Sequence, residues 1–223
     1  MRGFVFSFTP RRRRLSFLKN KDIPDLPKFM HRYSTVIFYT FMFAVGMLLG
    51  SLSATKADAT LLDKLDFLFT TNLSARLGQP VFSTFAASFA SDFIFMIFVF
   101  LCGLAPWGMV AIPVAPAFKG FGTGLSAGYL FITYGFKGVG FYLLIMLGGT
   151  FIFTFALIIE CIQAHSFSCT VAGVVFFSKS NSVSVSAHLR TYLVRSVYLL
   201  ILTAAAALTD MMLWTAFSGL FFS

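Results

Sequence analysis

Charged residues are scarce in this chain, and their scarcity excludes an ordinary soluble domain. Asp, Glu, Lys and Arg make up 11% of its 223 residues, whereas 58% are hydrophobic and the mean hydropathy is +0.86. A soluble domain has about 25% charged and about 45–50% apolar residues. Because so little charge cannot cover a water-facing surface, lipid must be the solvent for much of the chain. We therefore expect an all-α, polytopic transmembrane helical bundle in contact with the lipid bilayer.

Cysteine and histidine are also sparse, with three residues of each type. An odd number of cysteines without regular spacing is not a disulfide framework, so free thiols are expected. The histidines are dispersed and form no cluster of metal ligands. The chain has no HExxH, Walker or CxxC motif, and no nucleophile is paired with a base. We predict no catalytic residue, no metal site and no cofactor, and we expect the protein not to be an enzyme.

The basic residues are concentrated at the start of the chain. Nine of the seventeen Lys and Arg residues precede position 33: Arg2, Arg11, Arg12, Arg13, Arg14, Lys19, Lys21, Lys28 and Arg32. A basic segment before a long apolar stretch indicates a cytoplasmic anchor, which also attracts anionic lipid. Residues 1–32 are therefore predicted to be a cytoplasmic tail. Nucleic-acid binding is the weaker reading, because no basic fold interleaved with aromatics follows.

Apolar runs predict that residues 33–223 form a single transmembrane domain. About 20 apolar residues cross the hydrocarbon core. By this measure the chain has about five spans, at 33–53, 82–104, 120–134, 138–162 and 191–220. Placing thirteen of the seventeen basic residues inside and four outside puts the N-terminus in the cytoplasm and the C-terminus outside. Lys119 is counted among the inside residues.

Three connections between these spans have their own predictions. Prolines 106, 113 and 116 predict a broken or re-entrant segment at 105–118, before the third span. Leucines at helical spacing over 61–69 predict an amphipathic helix on the outer surface, within the polar stretch 54–83. Residues 163–189 are mixed in character and are expected to form a cytoplasmic loop, with an interfacial helix within it as an open alternative.

Glycines at four-residue spacing mark candidate helix-packing faces. Gly46 and Gly50 form one pair, and Gly120, Gly124 and Gly128 form a longer ladder. Small residues at this spacing let another helix backbone approach closely. Packing within the chain is favoured over packing between chains, and the oligomeric state stays open.

Three acidic residues fall within predicted spans: Asp92, Glu160 and Asp210. An ionisable group in a span is by default a functional-site hypothesis. The alternative is structural: Glu160 pairs with Arg190 or Arg195, and the two aspartates are solvated in the outer parts of their spans. As a hypothesis, Asp92 and Asp210 face the bundle interior together.

Two segments near the centre of the chain resemble a known protein family. FLCGLAPWG at 100–108 and FKGFGTGLSAGYL at 118–130 resemble the stage II sporulation protein M family. The residues that carry the resemblance are Gly103, Pro106, Trp107, Gly108, Phe118 and Lys119. Outside 100–130 the likeness is one of hydropathy order alone.

The resemblance implies a non-enzymatic membrane scaffold in bacterial sporulation. Members of that kind sit in the sporulation septum and hold two peptidoglycan-degrading enzymes, stage II sporulation proteins D and P, during engulfment of the forespore. The polar stretch 54–83 is the expected surface for such membrane-anchored hydrolases. The alternative is a transporter or permease subunit that uses the intramembrane acids and a discontinuous helix at 105–118.

Overall fold

Helices make up nearly all of the chain that can be described. A computed structural model describes residues 26–54, 81–177 and 182–222, and no strand occurs among them. In chain order the elements are α1 (Leu26–Ser53), α2 (Val81–Leu104), α3 (Gly108–Ala111), α4 (Val114–Phe141), a π-helical segment (Tyr142–Met146), α5 (Leu147–Phe177) and α6 (Ser182–Phe222). The predicted all-α bundle is confirmed. The predicted tail and outer amphipathic helix lie almost wholly outside the described residues.

The five predicted spans do not appear as five separate helical stretches. Among the residues that the structure describes, four helical stretches are long and apolar enough to cross a membrane, which makes this a multi-pass membrane protein: Ser34–Ser53, Phe82–Leu104, Gly108–Phe176 and His188–Phe217. The third and fourth predicted spans belong to one stretch of 69 residues. The sequence suggested a turn around Lys137, but only Gly135 leaves the helical conformation there.

Gly135 folds this long stretch back on itself. Its φ of 58° and ψ of −137° lie in a region that only glycine enters readily. After this residue the chain reverses, so that Leu130 packs against Phe141 and Tyr142. Further from the bend, Lys119 lies over the ring of Phe153. The two arms, 114–134 and 136–177, therefore run antiparallel.

The cytoplasmic loop predicted at 163–189 is largely helical. α5 continues to Phe177 and α6 already begins at Ser182. The polar residues are accommodated because their side chains find partners in or beside the helix. Thr170 donates to the carbonyl oxygen of Ser166 (3.0 Å), and His165 is hydrogen-bonded to the hydroxyl of Tyr39 on α1 (3.0 Å).

The break in the helices before α4 is confirmed. α2 ends at Leu104, a single turn of helix follows, and Pro113 directly precedes α4. Ser168 of α5 holds this segment in place. Its hydroxyl donates to the carbonyl oxygen of Ala105 (2.7 Å) and accepts from the backbone N–H of Met109 (3.1 Å).

α1 and the first arm of α4 meet through the two predicted glycine faces. A Cβ atom on Gly46 would overlap the carbonyl oxygen of Ala117, and one on Gly50 would overlap that of Phe121. In return, a Cβ atom on Gly124 would overlap the carbonyl oxygen of Met47. Gly120 lies similarly close to the carbonyl oxygen of Phe43, and Gly128 lies somewhat further away, against Ser51 and Ala54. The residue numbers of the contacting pairs increase in the same direction along both helices, so the two helices run parallel. These glycines therefore serve packing within the chain.

The largest core cluster lies where α2, α5 and α6 pack together. It includes the buried side chains of Met96, Val99, Phe153 and Leu157. A second cluster surrounds Trp214 at the fold-back. The polar residues described next lie among these helices.

Candidate functional site

Polar side chains from five elements line a cavity inside the bundle. Its volume is about 40 Å³, and by this measure a water molecule needs about 10–15 Å³, so about three would fit. The lining residues are Ser88, Ser91 and Asp92 of α2, Lys119, Thr123 and Ser126 of α4, Tyr142 and Met146 of the π-helical segment, Gly149 and Thr150 of α5, and Ala206 and Asp210 of α6. We refer to this set as the polar cavity.

Helical spacing explains how α2 and α4 bring their polar groups to the polar cavity. Residues 88, 91 and 92 on α2 stand at i, i+3 and i+4, which is one helix face. Residues 119, 123 and 126 on α4 stand at i, i+4 and i+7, again on one face. Each helix therefore carries a polar stripe, and packing turns both stripes inward.

Lys119 and Asp92 form an ion pair at the polar cavity. The ammonium Nζ lies 2.6 Å from Oδ1 of Asp92, and the two side chains are only 12% and 13% exposed. The same ammonium sits over the rings of Phe95 (5.2 Å) and Phe153 (4.8 Å), so it has aromatic faces as well as a carboxylate. Lys119 therefore does not belong to the cytoplasmic charges that the span prediction counted.

Asp210 lies in the same cavity as Asp92. Its Oδ2 accepts a hydrogen bond from Ser88 Oγ (3.2 Å). It packs against the backbone of Gly149, where an added Cβ would lie 2.9 Å from the Cβ of Asp210. Both aspartates thus face the bundle interior. The expectation that Asp92 lies in the outer part of its span is wrong, because Asp92 stands near the middle of α2 (Val81–Leu104).

Glu160 is buried elsewhere, between α5 and α6. It is 0% exposed, and Ser196 Oγ donates to its Oε1 (2.8 Å). The predicted pairing with Arg190 or Arg195 does not occur, and both arginines are exposed. The antiparallel packing of the two helices brings Ser196 opposite Glu160, and Arg195, one residue earlier, points about 100° away around the helix.

The residues that carry the family resemblance form the junction between α2 and α4. Gly103 allows close contact with Ala164 of α5, and Gly108 packs against the carbonyl of Cys102. Pro106 is half-buried in the turn, whereas Trp107 is 69% exposed. The ring of Phe118 lies 6.3 Å from that of Phe95. Lys119 is the member of this set that reaches the polar cavity.

Several cavity residues were missed from the sequence. The hydroxyls at 88, 123 and 126 could have been found, because each stands at helical spacing from Asp92 or Lys119, and Ser91 stands three residues after Ser88 on the same face. Tyr142 and Thr150 reach the polar cavity only through the fold-back of the chain. No local signal marks them as its lining.

A short motif in α4 was also missed from the sequence. Gly124-Leu-Ser126-Ala-Gly128 has the GxSxG spacing of hydrolase nucleophiles. Such a serine sits on a sharp strand-to-helix turn. Ser126 instead lies within α4 and donates its hydroxyl proton to the carbonyl oxygen of Gly122 (3.0 Å). The motif is therefore part of the helix-packing ladder here.

The polar cavity is too small for an organic substrate. Ligand pockets usually enclose about 300–1,000 Å³, several times the ≈ 40 Å³ found here. Within the described residues, no three His, Cys, Asp or Glu side chains come together as a metal site of those ligands would need. The arrangement suits water, a proton or a small ion.

Comparisons with known proteins add no relative: no family model, no curated protein and no solved structure matches the chain.

Proposed function

We propose that the protein is a non-enzymatic membrane scaffold of the kind that the stage II sporulation protein M family represents. The observation that carries the proposal is how the motif residues are used. Gly103, Gly108 and Gly120 all make close contacts within the chain. Motif residues that pack against neighbouring helices make the helical bundle rigid. A scaffold protein binds its partners through the surfaces of such a rigid bundle.

The interlocked glycines support the same proposal. The backbones of α1 and α4 are in direct contact at these glycines, as small residues allow in membrane helices. The small volume of the polar cavity also disfavours binding and conversion of an organic substrate. In this role the partners are membrane-anchored cell-wall hydrolases resembling stage II sporulation proteins D and P, and the contact surface is the stretch 54–83.

The proposed placement is the cell membrane, at the sporulation septum, with the N-terminus cytoplasmic and the C-terminus outside. One observation supports the inside N-terminus, and a second supports the alternation of the crossings. The basic residues before position 33 favour an inside N-terminus. The parallel directions of α1 and the first arm of α4 agree with a crossing of α2 between them in the opposite sense.

Fluorescence localisation during sporulation tests the scaffold, together with the phenotype of a deletion strain. We expect a fluorescent fusion to concentrate at the septum and the deletion to block engulfment. A Gly124→Leu variant should lose septal enrichment because α1 can no longer seat against α4. Gly173→Leu is the matched control, because nothing lies within 4 Å of a Cβ at that position. Uniform membrane fluorescence with normal engulfment would contradict the proposal.

A transporter or permease subunit is the second candidate, and one observation favours it. Asp92, Lys119 and Asp210 meet inside the bundle, and intramembrane charges often mark ion paths. The volume of the polar cavity restricts the cargo to protons or small ions. Flux measured in proteoliposomes, compared between the wild type and Asp92→Asn, tests this role. Equal flux in protein-free liposomes would exclude it.

A further inference from the structure

We propose that the polar cavity binds one monovalent cation of about the size of Na⁺, held by Asp210 and the hydroxyl oxygens around it. The inference goes beyond the scaffold function and does not depend on it. Four observations carry it: the charge of the polar cavity, the direction of its hydroxyl protons, the buried phenol of Tyr142 and the volume.

Within the described part of the chain, the charged groups that line the polar cavity do not balance. Asp92, Asp210 and Lys119 line it, and two carboxylates with one ammonium leave a formal charge of −1. Lys119 is already engaged by Asp92 at 2.6 Å and by two aromatic rings. An excess charge inside a membrane bundle is costly unless something compensates it. One added positive charge beside Asp210 balances the site.

Three of the hydroxyls that line the polar cavity present lone pairs to it, because each donates its proton to another acceptor. Thr123 donates its proton to the carbonyl oxygen of Lys119 (2.6 Å), and Ser126 donates to that of Gly122 (3.0 Å). Ser88 donates to Asp210 (3.2 Å). A hydroxyl has one proton and two acceptor lone pairs. With the protons committed, these oxygens are acceptors, which is what a hard cation requires.

Tyr142 is the independent sign of a ligand. It lines the polar cavity and is only 6% exposed. Its hydroxyl is buried and has no hydrogen-bond partner in the described part of the chain. Buried polar groups are nearly always satisfied, and each exception calls for a cause. The residue also begins the π-helical segment Tyr142–Met146, and π-helical turns occur frequently at functional sites.

Charge and volume select a monovalent ion. A divalent cation would turn the formal charge of −1 into +1. Mg²⁺ keeps several waters in octahedral geometry, and Ca²⁺ takes six to eight oxygens. The ≈ 40 Å³ of the polar cavity leaves little room for such a shell. The dispersed His and Cys residues predicted no metal site, but an alkali ion does not need a cluster of His, Cys and carboxylate ligands.

Equilibrium binding of ²²Na⁺ to the full-length protein in lipid nanodiscs tests the inference. Choline chloride keeps the ionic strength constant. We expect saturable binding of one ion per chain, and a melting temperature that rises as Na⁺ replaces choline. Asp210→Asn should weaken binding at least tenfold and remove the shift in melting temperature. Glu160→Gln is the matched control, since it alters a buried carboxyl outside the polar cavity, and it should bind as the wild type does.

Three results would overturn the inference. The first is no saturable ²²Na⁺ binding to the wild type at 100 mM. The second is equal binding by the wild type and Asp210→Asn. The third is a melting temperature that responds to pH but not to Na⁺, which would assign a proton to the site. If Asp210→Asn does not fold, Tyr142→Phe replaces it. That variant should bind several-fold more weakly, and unchanged binding would count against the inference.

Discussion

Replacing Lys119 with methionine should destabilise the protein more than replacing its partner Asp92 with asparagine. The two side chains form an ion pair with little exposure to the surroundings. Lys119→Met makes the formal charge of the polar cavity more negative, from −1 to −2, whereas Asp92→Asn brings it to zero. The double variant restores −1. The three variants therefore differ in charge while removing the same interaction.

The expected loss in the free energy of unfolding depends on which charged group each variant leaves buried without its partner. Removing one partner of a buried ion pair costs about 3–5 kcal/mol, and Lys119→Met should fall in this range. In Asp92→Asn the ammonium keeps the ring faces of Phe95 and Phe153, each worth about 0.5–2 kcal/mol. Its cost should therefore be about 1–3 kcal/mol. The double variant should lie within about 1 kcal/mol of the wild type, because exchanging a whole buried pair is often nearly neutral.

Unfolding of the full-length protein by SDS in mixed micelles measures these differences. Trp214 is buried in the core around the fold-back, so its fluorescence reports loss of tertiary structure. Lys137→Met is the matched control, because Lys137 is exposed and the same substitution there should cost less than about 0.5 kcal/mol. The reasoning is refuted if the two single costs add in the double variant, or if Asp92→Asn costs more than Lys119→Met.

The same unfolding assay checks three further predictions. Gly135→Ala should cost about 1–3 kcal/mol because its φ is positive, whereas Gly173→Ala, in open space within α5, should be neutral or stabilising; equal effects would contradict the proposed strain. Ser168→Ala should cost about 1–3 kcal/mol for each backbone group that it leaves unsatisfied, and Thr170→Ala, which loses one bond within its own helix, is the control. Gly124→Ala should cost about 1–3 kcal/mol through overpacking against α1, and a value no larger than that of Gly173→Ala would show that the two helices separate freely.

What the sequence could predict was local in origin. The shortage of charge decided that lipid is the solvent. Proline lacks an N–H and breaks or kinks a helix interior, so the break before α4 followed from the prolines at 106, 113 and 116, the last of which lies in the first turn of α4. Glycine spacing marked the faces at Gly46 and Gly124, because a helix places every fourth residue on one side.

What needed the tertiary structure depended on which faces meet. In the sequence, Gly135 does not differ from the other glycines around it. Only its φ in the structure shows that the chain reverses there rather than at Lys137. Lys119 looked like a cytoplasmic charge because its neighbours in sequence do not include Asp92 or Phe153. Likewise, the sequence around Glu160 does not show that Ser196, rather than an arginine, is its hydrogen-bond partner.

The polar cavity is the clearest case of this division. The sequence by itself determined that three acids lie in apolar spans, where their charge calls for a partner. The packing of five elements decided that Asp92 pairs with Lys119 and that Asp210 and Tyr142 share one small space. Charge compensation inside a membrane is a property of distances between helices. Those distances arise from side chains meeting across the bundle, and no run of residues along one helix contains them.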